Sequence, residues 1–451
     1  MMLNFVRSQF MKIVADDKIP FLKGIFEPYA RTEYLPGAEI NQKTLQDADA
    51  LITRTRTCCT PELLAGTSVR FIATATIGFD HISPQLTIPW TNAPGCNSSS
   101  VAQYIASALL SLDDRPLDGM TLGVVGVGHV GQKVAAVGRA LGMNVLLNDP
   151  PRAAAEGSAG FSTLDELVCN ADFITFHVPL TMTGKYTTYH LADEVLLKRM
   201  KQDAVLINSS RGEVVDNKAL KEVLRSGRIR AVLDVWENEP EFDRELLDLL
   251  AFGTPHIAGY STDGKANGTT MAVRAVAEAL DIEKLKNFTI QELPAPVVSQ
   301  IDLPGGITEK EALRRAVAAS YDIRRDDQAL RSAPDRFEHL RGNYPVRREP
   351  LAFTVKNGPA ALSALGFNLE KEAMLFWNDP RITGETDSQT ATLTNNSAET
   401  VCCEITASPH IYRIRKVSGG NSDFVWLEKR RLTLRFRPAE CIRLEFISNA
   451  Q

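Results

Sequence analysis

Residues 122–131 read LGVVGVGHVG, and no other run in the chain constrains the fold as strongly. Gly126, Gly128 and Gly131 stand in G-x-G-x-x-G order, directly after a short apolar strand pattern and at the opening of a helical one. In a βαβ unit the first glycine makes the tight turn. The second lets backbone approach a pyrophosphate, and the third lets helix and strand pack closely. His129 and Val130 fill the positions between the second and third glycines, at a helix N-terminus whose free N–H groups and partial positive charge suit phosphate. Such glycines also serve plain packing, so the context has to decide. Asp149 closes the next strand, VLLND, 18 residues beyond Gly131, where a carboxylate takes both ribose hydroxyls and repels a 2′-phosphate. The run therefore predicts a dinucleotide site for NAD rather than NADP, with the nearby Arg152 as a counterweight.

The pattern around this motif agrees with it. From Lys12 to about Lys286 short apolar runs alternate with helical stretches, the signature of a parallel α/β sheet. Strands are expected at Ile13–Ala15, Ala50–Thr53 and Arg70–Ala73, then at Leu122–Val125, Val145–Leu147, Phe173–Phe176, Val205–Ile207 and Val232–Leu233. NSSSVAQYIASALLSL, from Asn97 to Leu112, carries one apolar face and reads as a long helix able to join two domains. A second amphipathic helix is expected from about Thr269 and should pack back on the first domain. After Leu293 the Pro/Gly-rich stretch to Gly306 reads as a linker, followed by a helical, charge-paired region. From residue 381 the pattern turns to period two, with Leu432, Leu434 and Phe436, then Ile442, Leu444 and Phe446, alternating with polar residues. SGGNS at 418–422 supplies a turn, and Asn378-Asp379-Pro380 a boundary. The tail carries ten Lys/Arg against eight Asp/Glu, where residues 1–380 carry forty against forty-seven, so it reads as a separate small all-β module.

Composition removes several function classes. At 451 residues the chain suits two to four domains, and a net charge of −5 argues against nucleic acid as the main partner. Seven cysteines, two pairs of them adjacent and none in C-x-x-C spacing, read as reduced thiols rather than a disulfide or zinc framework. No metal is expected, and no run approaches the roughly 18–20 apolar residues of a membrane span. The first ten residues lack a secretory apolar stretch, and Met11 is a candidate natural start. A cytoplasmic protein is expected.

In a doubly wound sheet, ligands bind beyond the carboxyl ends of the strands. That rule selects Ser209, Ser210 and Arg211 after VLIN, Asp234 and Glu239 after AVL, and His256 with Gly259 and Tyr260 in TPHIAGY. Oxidising a hydroxy acid at this rim needs a base for the hydroxyl proton, a role for histidine. It needs a carboxylate to orient that base, and a guanidinium to grip the substrate carboxylate in planar, bidentate fashion. Arg211, Glu239 and His256 fit these roles jointly. Each alone also reads as an ordinary ion pair, loop charge or cap. His81 in GFDHI and His177 in FHVP lie near strand ends too, but read as supporting or packed residues.

These residues carry a family resemblance. GVGHVG, NSSRGEVVDN, LDVWENEP and GTPHIAGY resemble the D-isomer-specific 2-hydroxyacid dehydrogenases. The runs ATATIGFDHI, APGCNSSSVAQYI and YDIRRDD extend the likeness from about Met11 to Leu369, into a branch with an added C-terminal dimerisation domain. The resemblance implies a doubly wound NAD-binding (Rossmann) domain, residues 97–258, inserted in a flavodoxin-like substrate-binding domain, residues 11–96 and 259–290. An α+β dimerisation domain would follow over 291–377, with the all-β extension over 378–451. It also implies oxidation of 4-phospho-D-erythronate to 2-oxo-3-hydroxy-4-phosphobutanoate by a homodimer, with Arg211 and Glu239 in the active site and His256 as proton donor or acceptor. Thr55, Thr76 and Tyr260 fall on the family's substrate-contacting positions. Asp149, Val178, Ser209, Ser210, Arg211, Asp234 and Gly259 fall on its NAD positions, with Val178 able to contribute only backbone. Another 2-hydroxyacid dehydrogenase, acting for example on phosphoglycerate, and an NAD-sensing binding protein of the corepressor type are the alternatives.

Overall fold

The computed structural model describes residues 11–112 and 116–370 throughout and, beyond them, the backbone of strands between 375 and 448. Two parallel sheets carry the larger part. The first is built from β1 (Lys12–Asp16), β2 (Arg31–Leu35), β3 (Ala50–Thr53), β4 (Phe71–Thr74) and β5 (Trp90–Thr91) in the order β2-β1-β3-β4-β5. All four pairings are parallel. β1 and β3 are buried along their whole length, as strands covered on both faces must be, and so Ile13–Ala15 and Ala50–Ile52 read as short apolar runs, with Lys12, Asp16 and Thr53 at the strand ends. The two strands that the apolar pattern does not reveal are marginal. β2 is the polar, half-exposed edge RTEYL, and β5 is two residues long.

The second sheet comprises β6 (Thr121–Val125), β7 (Asn144–Asn148), β8 (Phe173–Phe176), β9 (Val205–Asn208), β10 (Arg230–Leu233) and β11 (Phe252–Gly253). Their order is β11-β10-β9-β8-β6-β7, again all parallel. The chain leaves β6 toward β7 on one side and continues through β8 on the other. The crevice at that reversal is where α/β sheets bind ligands, and the glycine run opens directly into it.

Two helices tie the sheets together. Ser98–Leu112 is buried on nearly every side from Ser98 to Leu110, as befits a helix between two bodies rather than on a surface. The second runs from Thr262 to Ala279 and begins seven residues before the expected Thr269. Gly264 and Gly268, which lower helix propensity, hid its first two turns. Packing explains them. A Cβ at Gly264 would sit 2.7 Å from Asn97 Cβ, and one at Gly268 2.6 Å from the Ala75 carbonyl oxygen. Further along, Ala272, Val273, Val276 and Ala277 join Ile13, Ala15, Ile52 and Ala73 in the core of the first sheet.

The charge-paired region after the linker forms helices Glu309–Ser320, Ile323–Ser332 and Phe337–Gly342. Leu330 and Phe337 enter the same core as Trp236, Phe242 and Leu246 of the second sheet. The chain divides into two compact units, one of residues 1–354 with 359–368 and another of 355–358 with 369–451. Within the second unit the tail is antiparallel β. One sheet orders Leu375–Trp377, Val401–Ala407 and Arg431–Phe436. The other orders Ile382–Thr386, Thr390–Asn395, Cys441–Ser448, Ile411–Lys416 and Phe424–Trp426. Both period-two runs of the sequence fall on these strands, while the SGGNS turn and the Asn378–Pro380 boundary lie outside the described residues. Among the described residues no helix is long and apolar enough to cross a membrane, and Cys58, Cys59, Cys96 and Cys169 are free thiols.

The third glycine of the motif is where the backbone leaves no room. A Cβ at Gly131 would stand 1.9 Å from the Gly126 carbonyl oxygen, which no rotamer change can relieve. Gly131→Val is expected to destabilise the second sheet's body by about 1–3 kcal/mol or more, seen as a lower thermal unfolding midpoint and loss of dinucleotide-induced stabilisation.

Candidate active site

The glycine turn is shaped by its neighbours. Gly126 holds φ +87°, where a Cβ would also run into the His177 carbonyl oxygen at 2.5 Å and Val178 Cγ1 at 2.7 Å. Gly128 has nothing within 4 Å of its Cβ direction, so the backbone is open to a ligand there. It precedes helix His129–Ala140 with no side-chain cap, leaving the first N–H groups available for phosphate. Asp149 is fixed to this loop from below, accepting from Val127 N at 2.8 Å and Arg152 N at 3.1 Å. Arg152 is not free to greet a 2′-phosphate. Its Nε and Nη2 grip Glu156 at 2.8 and 2.7 Å, and its Nη1 donates to the Val127 carbonyl. The residues present therefore fit NAD. Ser209 Oγ, buried and without a partner among the described residues, adds an unused polar atom on the same rim.

Beyond β10 the chain builds an acid–base pair. His256 Nδ1 lies 2.7 Å from Glu239 Oε2, and Glu239 Oε1 accepts from Trp236 N at 2.9 Å. Burial alone would raise the Glu239 carboxyl, but the His256 partner and the Trp236 amide outweigh it and hold the group below the usual range. With an ionised Glu239 accepting from Nδ1–H, Nε2 carries the lone pair, and among the described residues it has no partner. The imidazole is thus oriented and its outer nitrogen is ready to take a proton.

The loop bearing His256 is clamped on both its polar edges. Asp234, fully buried, accepts from Thr254 Oγ1 at 2.7 Å, Ile257 N at 2.7 Å and Ala258 N at 2.9 Å. From the other side Arg347, 5% exposed, donates Nη1 to the Ile257 and Ala258 carbonyls at 3.3 Å each, Nη2 to Ser100 O at 2.7 Å and Nε to Gln103 Oε1 at 3.0 Å. Its guanidinium stacks 3.7 Å over the Tyr321 ring. Gly259 then presses against Asn97, whose Nδ2 would be 2.2 Å from an added Cβ.

Arg211 reaches from the second sheet to the first. Its Nε and Nη2 contact Asp80 Oδ2 at 3.2 and 2.8 Å, and Nη1 donates to Ser210 O at 2.7 Å. Asn208 shapes the turn beneath it, accepting from Ser210 N and Oγ and donating to Arg211 O at 2.8 Å. Thr76 sits beside this contact, donating to Gly78 O at 2.8 Å and sharing a 2.8 Å contact with Thr74 Oγ1. Thr55 is exposed just past the end of β3. His81 Nε2 lies 3.1 Å from Thr74 Oγ1, a supporting place, and burial lowers its pKa. His177, half-buried, lies 2.9 Å from Thr175 Oγ1, and the loss of water around its ring pushes its pKa down to about 3, so it stays neutral.

The structure thus gathers Arg211, Glu239, His256, Asp234, Gly259 and the glycine loop along one rim. Sequence reasoning passed over Asp80, Asn208 and Arg347. Asp80 adjoins His81 in GFDHI, Asn208 closes the VLIN strand, and Arg347 is one of the paired charges of NYPVRRE, whose distant partners the sequence does not show. Among the described residues one trio, His190, Asp216 and Glu237, brings metal-type donor atoms within 4.8 Å of one another. There His190 Nε2 is already 2.6 Å from Glu237 Oε1, an ion-pair arrangement.

Comparison with known proteins places this geometry. Residues 102–258 match the family described as D-isomer specific 2-hydroxyacid dehydrogenase, NAD binding domain, and residues 292–367 match a domain of unknown function, DUF3410. The chain is 49% identical over 354 residues to an erythronate-4-phosphate dehydrogenase of Bacteroides fragilis, covering 76% of this chain and 99% of that one. A Cronobacter sakazakii protein of the same name is 44% identical over 374 residues, 79% of this chain and 98% of its own. Among solved structures, a D-lactate dehydrogenase from Aquifex aeolicus complexed with NAD and lactic acid is similar, with TM-score 0.51 and 26% identity over 63% of this chain and 100% of that one. The NAD-bound 3-phosphoglycerate dehydrogenase of Entamoeba histolytica gives TM-score 0.51 and 25% identity over 63% and 99%.

Removing Arg347 tests the clamp. Arg347→Met would remove one donor each from the Ser100, Ile257 and Ala258 carbonyls and a nearby cation from Asp326. A loss of about 3–5 kcal/mol is expected, as for other broken buried charge networks. It should appear as a lower unfolding midpoint together with faster amide exchange at Ile257 and Ala258.

Proposed function

Because the chain belongs to the D-isomer-specific 2-hydroxyacid dehydrogenase family, with the erythronate-4-phosphate dehydrogenases, and carries that family's NAD-binding domain, we propose that it oxidises 4-phospho-D-erythronate to 2-oxo-3-hydroxy-4-phosphobutanoate. The single observation that carries this reading is the likeness over nearly the whole length of those relatives, through the region after residue 292. The rim geometry supports it chemically.

Bound NAD would supply the acceptor for the hydride that leaves C2. The chain's own groups do the rest. His256 Nε2 takes the proton of the C2 hydroxyl, and Glu239 stabilises the imidazolium that results. Arg211 supplies the planar donor fork for the substrate's C1 carboxylate. Gly126, Gly128, His129, Val130 and Gly131 cradle the pyrophosphate, and Asp149 takes the ribose hydroxyls. Val178, Ser209, Ser210, Asp234 and Gly259 line the dinucleotide, with Asp234 acting chiefly through the loop it holds. Thr55, Thr76 and Tyr260 face the substrate.

The domain reading follows. Residues 11–96 and 259–290 form a flavodoxin-like substrate-binding domain, 97–258 the NAD domain, 291–377 a dimerisation domain and 378–451 an all-β extension outside the chemistry. The working enzyme is a homodimer. It acts in the cytoplasm.

Side-by-side assays of NAD reduction with 4-phospho-D-erythronate, 3-phosphoglycerate and D-lactate should show clear preference for the first. Preference for either of the others, or NAD binding without turnover, would replace this reading. His256→Asn should lower turnover by about 10²–10⁴-fold, the range for a lost general base, while NAD affinity stays near normal. Light scattering on the intact chain should return twice the 49.6 kDa chain mass, and a monomer would remove the homodimer.

A further inference from the structure

Tyr260 follows the His256 loop by four residues, and two cations converge on its ring. Lys265 Nζ lies 5.0 Å from the ring centroid, and Arg341 Cζ 5.7 Å. Neither cation is used up by the protein. Among the described residues Lys265 has no carboxylate partner, although it is half-buried. Burial, with Arg54 nearby, pushes its ammonium pKa down. Arg341 has a buried Nε with no hydrogen-bond partner, and its Nη1 reaches Glu338 Oε1 only at 3.4 Å. Glu338 also pairs with Arg56. The other carboxylates whose charge Arg341 feels, Glu239 and Asp234, are committed to His256 and to the amides of Ile257 and Ala258. Cation–π contact with one phenol ring offsets little of the cost of holding a guanidinium N–H unsatisfied. Such an excess of half-buried positive charge, beside the acid–base pair, calls for an anion with several acceptor oxygens. Arg211 already serves the planar carboxylate, whereas a point ammonium and a guanidinium fork together suit a phosphate dianion.

We infer that Lys265 and Arg341 seat the phosphate group of the substrate against Tyr260, with Arg54 reinforcing the charge behind Lys265. This rests on the proposed phosphorylated substrate and deepens it. Lys265 lies on helix Thr262–Ala279, which packs on the first sheet. Arg341 lies within residues 292–367, the region to which no function is attached. That region therefore contributes a specificity-determining residue to the substrate site, whatever else it does in assembly.

The test uses the full-length chain and the variants Arg341→Met, Arg341→Lys and Lys265→Met, each assayed with 4-phospho-D-erythronate and with unphosphorylated D-erythronate. Calorimetric titration with inorganic phosphate runs in parallel. The methionine variants should lose roughly 10–100-fold in kcat/KM for the phosphorylated substrate, the range for a lost charged hydrogen bond, and weaken phosphate binding similarly. Turnover of D-erythronate should fall by clearly less than turnover of the phosphorylated substrate, and Arg341→Lys should recover part of the loss. Equal losses on both substrates, or phosphate binding that ignores the substitutions, would overturn the assignment. Lys265→Met stands on a different element, so it carries the test if Arg341→Met fails to fold. If the wild type does not turn over phosphoerythronate, the reaction assigned above fails. The phosphate titration then still decides the seat.

Discussion

The proposed acid–base chemistry depends on one buried carboxylate and one buried guanidinium gripping the same stretch of backbone. Asp234 takes the amides of Ile257 and Ala258, and Arg347 takes their carbonyls. Between them the preceding residue, His256, is held at φ +56°, a left-handed conformation that costs a non-glycine residue roughly 1–2 kcal/mol. A free loop would relax out of it and turn the imidazole away from Glu239. Burial raises the Asp234 carboxyl, with His256, Thr254 and the two amides opposing only in part, so the group is placed at a net electrostatic cost. The position of the proposed proton acceptor is thus set by two buried charges that grip the backbone of its loop.

The same clamp explains why residues 309–349 cannot be a detachable appendage. Arg347 is locked by Ser100 and Gln103 of the interdomain helix, while Arg348 and Glu349 hold Asp263 and Ser261 at the start of the next long helix. Leu330 and Phe337 meanwhile fill the core around Trp236, whose backbone amide holds Glu239. Packing and hydrogen bonding therefore run from this region to both members of the acid–base pair. Perturbing it should be felt at the acid–base pair through these contacts as well as through any residue that meets the substrate.

The parts legible in the sequence are those where local chemistry has only one use. Three glycines in fixed spacing, an aspartate after the next strand and apolar runs of four to five residues announce a dinucleotide-binding parallel sheet, and β6, β7, β8, β9 and β10 lie where those runs fall. His256, Glu239 and Arg211 were legible because strand ends converge on one rim. What escaped is what depends on partners far away in the chain. β11 is two residues long with a glycine. Helix Thr262–Ala279 begins at glycines that make sense only against Asn97 and Ala75. Arg347 is one of many arginines in a charge-rich stretch until its carbonyl partners, 89 and 90 residues away, are seen. Asp80 needs Arg211 from another sheet to acquire meaning.

That last pair also bears on how a substrate would enter. Arg211 directs Nε and Nη2, the fork suited to a carboxylate, onto Asp80, and uses Nη1 on its own turn. Burial raises the Asp80 carboxyl, but Arg211 pulls it below its ordinary range, so at neutral pH the pair is fully ionised. Asp80 remains 59% exposed, and an ion pair so open to water contributes only about 0–1 kcal/mol. A substrate carboxylate that brings further contacts can displace it at small cost. Until then Asp80 keeps the guanidinium extended across the gap between the sheets, next to Gly78, where an added Cβ would strike Nη2 at the glycine itself. The resting ion pair in this arrangement is a placeholder for the proposed substrate's own carboxylate, and it prepays the ordering of a long side chain that binding would otherwise have to supply.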